Sequence, residues 1–166
     1  MPEVWLRGPV PGYEPLILPA AHSLLQVKED IEALTDSVRP LDLWARPGGA
    51  ASIGFHVRHI GASLDRLLTY ARGEMLTADQ MNALASEGDD TGSLQEVAAI
   101  AIASIDRALA QLRATPADMF FAERKVGRAG LPSTTIGLIF HAAEHAGRHA
   151  GQAVTTARIL NGLRSG

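Results

Sequence analysis

The stretch His141-Ala142-Ala143-Glu144-His145-Ala146-Gly147-Arg148-His149 decides how this chain is read. Its three histidines stand at i, i+4 and i+8. A helix turns about 100° per residue, so each step of four drifts by only ~40°, and the three rings form one stripe. Leu138, Ala142, Gln152 and Thr156 share or border that stripe. The histidines therefore sit on or beside the face that should point inward. The helix that carries them is expected to begin near Ser133 or Thr134 and to reach about Leu160.

Three further long helices precede it. Leu24, Val27, Ile31 and Leu34 fall at helical spacing in a segment from about Ala20 to Val38, which Pro40 stops. The breaker cluster Arg46-Pro47-Gly48-Gly49 leads to a second helix from about Ala51 to Ala71, with Gly73 just beyond as a C-cap. Ser93-Leu94-Gln95-Glu96 has capping-box spacing and opens a third, about Leu94 to Ala114. Between the second and third, Thr77 can cap a short helix with Met81 and Leu84 as its apolar contacts. The polar stretch Ser86 to Gly92 reads as a loop. Phe120 to Pro132, with Gly127 and Gly130, reads as an irregular crossover. Pro2, Pro9, Pro11, Pro15 and Pro19 make residues 1–19 an extended arm, not a helix. Its apolar residues Trp5, Leu6, Leu16, Ile17 and Leu18 should pack on the bundle or on a partner. The fold class is all-α: a single four-helix-bundle domain over residues 1–166.

Composition agrees. At 166 residues the chain fits one domain, and its 46% hydrophobic content is rich in Ala, Leu and Ile with few aromatics. Net charge is −3, from 15 Lys and Arg against 18 Asp and Glu, with no basic run to suggest nucleic acid. The absence of cysteine excludes disulfides, thiolate ligands and a cysteine nucleophile. Met1-Pro2-Glu3-Val4-Trp5 lacks the basic-then-apolar order of a signal peptide, and no apolar run approaches the ~20 residues of a membrane span. A cytoplasmic protein is expected, without a membrane partner.

The six histidines carry the chemistry: His22, His56, His59, His141, His145 and His149. An imidazole nitrogen desolvated without a partner costs on the order of 1–3 kcal/mol, and a metal ion removes that cost. Two histidines at i, i+4 can reach one ion from one helix; a third must come from another. The second helix offers His56 and His59, and spacing does not choose between them. Imidazole suits zinc, nickel, copper and iron rather than magnesium or calcium. Three protein ligands leave a position for water or substrate, and a coordinated water or thiol is acidified there.

Ser52-Ile53-Gly54-Phe55-His56-Val57-Arg58-His59-Ile60 and the following Gly61-Ala62-Ser63-Leu64-Asp65-Arg66-Leu67-Leu68 resemble the second helix of DinB-like proteins (the DinB/YfiT-like superfamily, which includes the bacillithiol transferases). Glu144-His145-Ala146-Gly147-Arg148-His149-Ala150-Gly151-Gln152 is similar to their His-x-x-x-His-x-Gly-Gln motif, and Leu43-Trp44-Ala45-Arg46-Pro47 fits before the second helix. The resemblance implies a four-helix bundle with a three-histidine site for one divalent transition metal. It assigns His59, His145 and His149 as ligands, with zinc and nickel among the family's metals. His56, His141 and His22 are expected to line the pocket or to stand just behind the ligands. Gly151 and Gln152 are expected to serve close helix packing and a hydrogen bond. Glu144 should pair with Arg148 at i, i+4. Arg58 and Arg148 are read as solvated charges or as rim contacts for an anionic substrate.

The expected activity is metal-dependent and thiol S-transferase-like, on a small-molecule substrate, with a low-molecular-weight thiol as cosubstrate because the chain has no cysteine. The alternatives are a metal-dependent hydrolase and a non-catalytic metal-binding stress-response module. No residue is singled out as catalytic beyond the ligands. A homodimer is expected from the apolar arm, the Ala-rich helices and the habit of the family.

Overall fold

Leu24, Val27, Ile31 and Leu34 point the same way in the first helix, and all four are buried. The computed structural model describes residues 1–165. It contains five helices: α1 Leu18–Ser37, α2 Ile53–Ala71, α3 Ala78–Ala85, α4 Leu94–Ala114 and α5 Thr135–Ser165. Among the described residues the fold is all-α apart from one small hairpin, β1 Glu123–Val126 and β2 Leu131–Thr134. Helices α1 and α2 each pack against both α4 and α5, so the four long helices enclose one core. Its centre includes Ile31, Ile53, Val57, Ile60, Leu64, Ile105 and Ala146, none more than 0% exposed. No helix among the described residues is long and apolar enough to cross a membrane.

Local chemistry sets the boundaries. Ser52 caps α2, its hydroxyl accepting from the Phe55 backbone N–H. Thr77 and Ser93 open α3 and α4 in complete capping boxes with Gln80 and Glu96. Gly73, past the end of α2, has φ +83° and donates its N–H to the Tyr70 carbonyl, a conformation that a Cβ would disfavour.

Four expectations are corrected. The arm is not extended throughout: Val4–Arg7 forms a single 3-10 turn, and α1 takes in Leu18 and Pro19. Proline is tolerated there because the first helical turn has no intrahelical use for its N–H. Of the arm's apolar residues only Val4 and Ile17 are buried; Trp5, Leu6 and Leu16 are exposed. Three polar links hold the arm along α1: Arg7 to Glu29, the Val4 N–H to Gln26 Oε1, and His22 Nε2 to the Gly8 carbonyl. In α3, Met81 and Leu84 are also exposed. That helix is tied down instead by the Gln80 amide, which donates to Asp65 and to the Thr69 hydroxyl. The crossover is an ordered antiparallel hairpin with Glu123 opposite Thr134 and Val126 opposite Leu131. Gly127 and Gly130, at φ +67° and +62°, turn it. Helix α5 runs five residues past the expected Leu160, to Ser165. Its last turn is held by Arg164, which pairs with buried Asp42 in the α1–α2 connection.

Candidate metal centre

The site forms where α2 and α5 pack side by side. On α2, Ile53, Val57, Ile60 and Leu64 face the core, and His56 and His59 lie on and beside that buried face. On α5, Ala142, Ala146, Ala150 and Ala153 are buried against the neighbouring helices. Their small side chains let the backbones approach, and the histidine stripe at the edge of that face meets α2. Gly61, two residues after His59, lets α4 close in from the other side: a Cβ there would lie 3.0 Å from the Ala101 Cα.

His59, His145 and His149 each offer a ring nitrogen, and these donor atoms all lie within 4.8 Å of one another. Ring centroids are 5.0 Å apart for His59 and His145, 4.4 Å for His59 and His149, and 4.6 Å for His145 and His149. The His59 and His145 Nε2 atoms are 2.8 Å apart. Phe55 stacks on His59, with ring centres 5.5 Å apart and planes 15° from parallel, and forms one wall.

Each ring has a neighbour on its far side. His59 Nδ1 is 2.9 Å from Glu87 Oε2, and Arg66 holds the other Glu87 oxygen at 3.1 Å. His149 Nδ1 is 2.9 Å from the Nδ1 of buried His56. His145 Nδ1 lies 3.4 Å from Arg148 Nη2, a long contact. Glu144 joins Arg148, as the i, i+4 spacing suggests, and also accepts from exposed His141.

Electrostatics favour the neutral form of His149, His145 and His56. Burial is the first cause that lowers the proton affinity of His149, followed by the neighbouring His59 and His145; its pKa is pushed down to about 4. Burial and the same neighbours lower His145, and burial followed by His59 lowers His56. Burial alone would raise Glu87, but hydrogen bonds from His59 and Arg66 outweigh it, so its carboxyl lies below the ordinary range.

The donor set fits a divalent transition metal. It consists of nitrogens, without a carboxylate among the three, which disfavours calcium and magnesium. With their proton affinity lowered, His145 and His149 present lone pairs, the form that binds metal. The 2.8 Å between two Nε2 atoms is shorter than the ~3.4 Å kept by tetrahedral ligands each ~2.1 Å from one ion, so a small parting of the two rings admits it.

The other histidines divide. His56 stands directly behind His149, and His141 lies 5.4 Å from His145, ring to ring, at the exposed end of the stripe. His22 goes elsewhere. Its Nε2 meets the Gly8 carbonyl at 3.1 Å, and it lines an apolar cavity of about 680 Å³ with Trp5, Ser23, Asp30 and Gly147. The arm draws the ring to that side of α1. Gly151 and Gln152 are exposed, and a Cβ on Gly151 would meet nothing within 4 Å, so the expected close packing is absent there. Arg58 is not a free rim charge. It lies over the Trp44 ring and donates to the carbonyls of Asp89 and Thr91.

Sequence reasoning missed Glu87 and Arg66. A signal existed: a histidine ligand normally donates its second N–H to an acceptor. The polar loop offered Glu87, Asp89 and Asp90 with nothing in the sequence to rank them.

No curated protein gives a match to this chain. The model of the DinB superfamily matches residues 23–153, which include α2, the Glu87 loop and the histidine stripe of α5. With its helical frame and its cluster of His59, His145 and His149, the chain belongs to the DinB superfamily.

Proposed function

We propose that the chain is a metal-dependent enzyme that activates a small thiol for transfer to an electrophile, with one divalent ion, zinc or nickel, held by His59, His145 and His149. The observation that carries this reading is the convergence of three imidazoles from two helices on a space within 4.8 Å. A bound ion there supplies acidification of a thiol or water that reaches it. The chain's own residues do the rest. Burial keeps His145 and His149 unprotonated, and Phe55 shields one face of His59 from water. His56 sits behind His149 rather than among the three donors, which supports an open position for substrate over closed, purely structural coordination. Because the chain has no cysteine, the thiol must come as a cosubstrate. A homodimer working in the cytoplasm is part of the same proposal.

The test is metal analysis of untagged protein, followed by assay with low-molecular-weight thiols and a model electrophile. One ion per chain is expected, with turnover that needs the thiol, stops with a chelator and is lost in His149→Ala. Turnover that ignores the thiol while cleaving esters or amides would redirect the reading to hydrolysis at the same site. A chain that takes up neither zinc nor nickel would end both.

A further inference from the structure

Glu87 is a carboxylate 7% exposed, carried on the connection between α3 and α4. Little about that segment is helical or apolar, yet it is pinned from several directions. Arg58 donates to the Asp89 and Thr91 carbonyls, Arg46 pairs with Asp90 at 2.7 Å, and the Trp44 indole N–H donates to the Gly92 carbonyl at 3.2 Å. Arg66, itself mostly buried, adds a bond to Glu87 Oε1 at 3.1 Å. Arg66 also reaches Oε2, at 3.5 Å, and the shorter contact of that oxygen is with His59 Nδ1, at 2.9 Å.

We propose that Glu87 is a positioning residue: it holds the His59 proton on Nδ1 and so aims the Nε2 lone pair at the space shared with His145 and His149. An ionised carboxylate accepts hydrogen bonds and cannot donate them, so the atom facing Oε2 must carry the proton. Arg66 supplies a fixed positive charge that keeps the carboxylate ionised. A neutral imidazole with its proton on Nδ1 has its free lone pair on Nε2, the atom 2.8 Å from His145 Nε2. Without Glu87, the other tautomer becomes available and the ring is free to turn about χ2. The role in metal binding rests on the metal reading above; the tautomer assignment does not.

The experiment uses the full-length chain labelled with 15N and stripped of metal. Long-range 1H–15N correlation reads the His59 tautomer, and competition against a chromogenic chelator reads zinc affinity. The expected result is His59 protonated on Nδ1 in the wild type. Glu87→Ala should give a mixture of tautomers and zinc binding weaker by roughly 10–100-fold. Glu87→Gln, whose amide oxygen can still accept from Nδ1, should recover most of both. A proton on Nε2 in the wild type would overturn the proposal, and that reading needs no variant to fold. So would Glu87→Ala with unchanged tautomer and affinity. A wild type that takes up neither zinc nor nickel yet keeps the His59 proton on Nδ1 would remove the metal reading and support the role of Glu87.

Discussion

His59 Nε2 and His145 Nε2 face each other at 2.8 Å across the α2–α5 interface, from residues 86 positions apart in the chain. Two imidazoles in that position can share one proton, but His149 then adds a third ring, centred 4.4 Å from that of His59, that the same proton cannot serve. An ion satisfies all three lone pairs together. Zinc or nickel should therefore raise the melting temperature, since a ligand at 100 times its Kd adds about 2.7 kcal/mol to the folded state. The rise should vanish in His59→Ala and His145→Ala. It should persist in His22→Ala, because His22 faces the arm. Thermal melts with and without metal check this; equal shifts in all four proteins would refute it.

How far the sequence reached depended on the range of the interaction. The α4 boundaries, the Ser93 cap and the histidine stripe follow from spacing within one or two turns, and the reading of the residues alone carried them. The choice of His59 over His56 needed a family resemblance, because the register of α2 against α5 is a tertiary property. The Glu87 contact spans 28 positions into a loop whose acids look alike, so the linear pattern could not single it out from Asp89 and Asp90. The β1–β2 hairpin was missed for another reason. Glu123-Arg124-Lys125-Val126 lacks the apolar alternation of a half-buried strand, and its pairing is decided by the turn at Gly127 and Gly130.

Asp42 should make stability depend on acid. The Arg39 hydrogen bond is the first cause that lowers its pKa below the ordinary carboxylate value, and Arg164 adds to it against the effect of burial. A carboxyl with a lowered folded-state pKa contributes its full stabilisation above the unfolded value of about 3.9. That contribution is lost as pH falls through the lower, folded value. The urea midpoint should thus drop as pH falls below about 4, and the Asp42 share of that drop should be missing in Asp42→Asn, which is less stable at neutral pH. Denaturation series between pH 7 and pH 3 measure both slopes. Parallel curves for the two proteins would count against the pairing.

Gly54 gives Trp44 its seat. A Cβ at position 54 would fall 2.4–2.7 Å from three atoms of the indole ring, so Gly54→Ala must push the ring away. The ring cannot yield freely, since Arg58 lies 4.9 Å above it and its N–H holds the Gly92 carbonyl. We expect a loss of about 1–3 kcal/mol, the usual range for overpacking. Trp44 emission should shift to the red against the constant background of exposed Trp5. The same displacement should loosen the loop that carries Glu87, which faster amide exchange over residues 87–92 would report. Unchanged emission together with unchanged stability would show that the ring has room to spare.

Ser93→Ala should destabilise the fold without touching the histidine cluster. The Ser93 hydroxyl accepts the Glu96 backbone N–H at 3.3 Å, and Glu96 Oε2 returns a bond to the Ser93 N–H at 2.8 Å. Loss of the cap leaves an early donor of α4 to water and costs about 0.5–2 kcal/mol. Because α4 packs on both α1 and α2, the cost should appear in the cooperative unfolding of the whole domain rather than as local fraying. Urea unfolding followed by circular dichroism should show a lower midpoint with an unchanged slope. Zinc affinity of the folded variant should equal that of the wild type, because Ser93 touches none of the three donor rings. A change in affinity would mean that the start of α4, through Gly92 and Trp44, helps to set the position of Glu87.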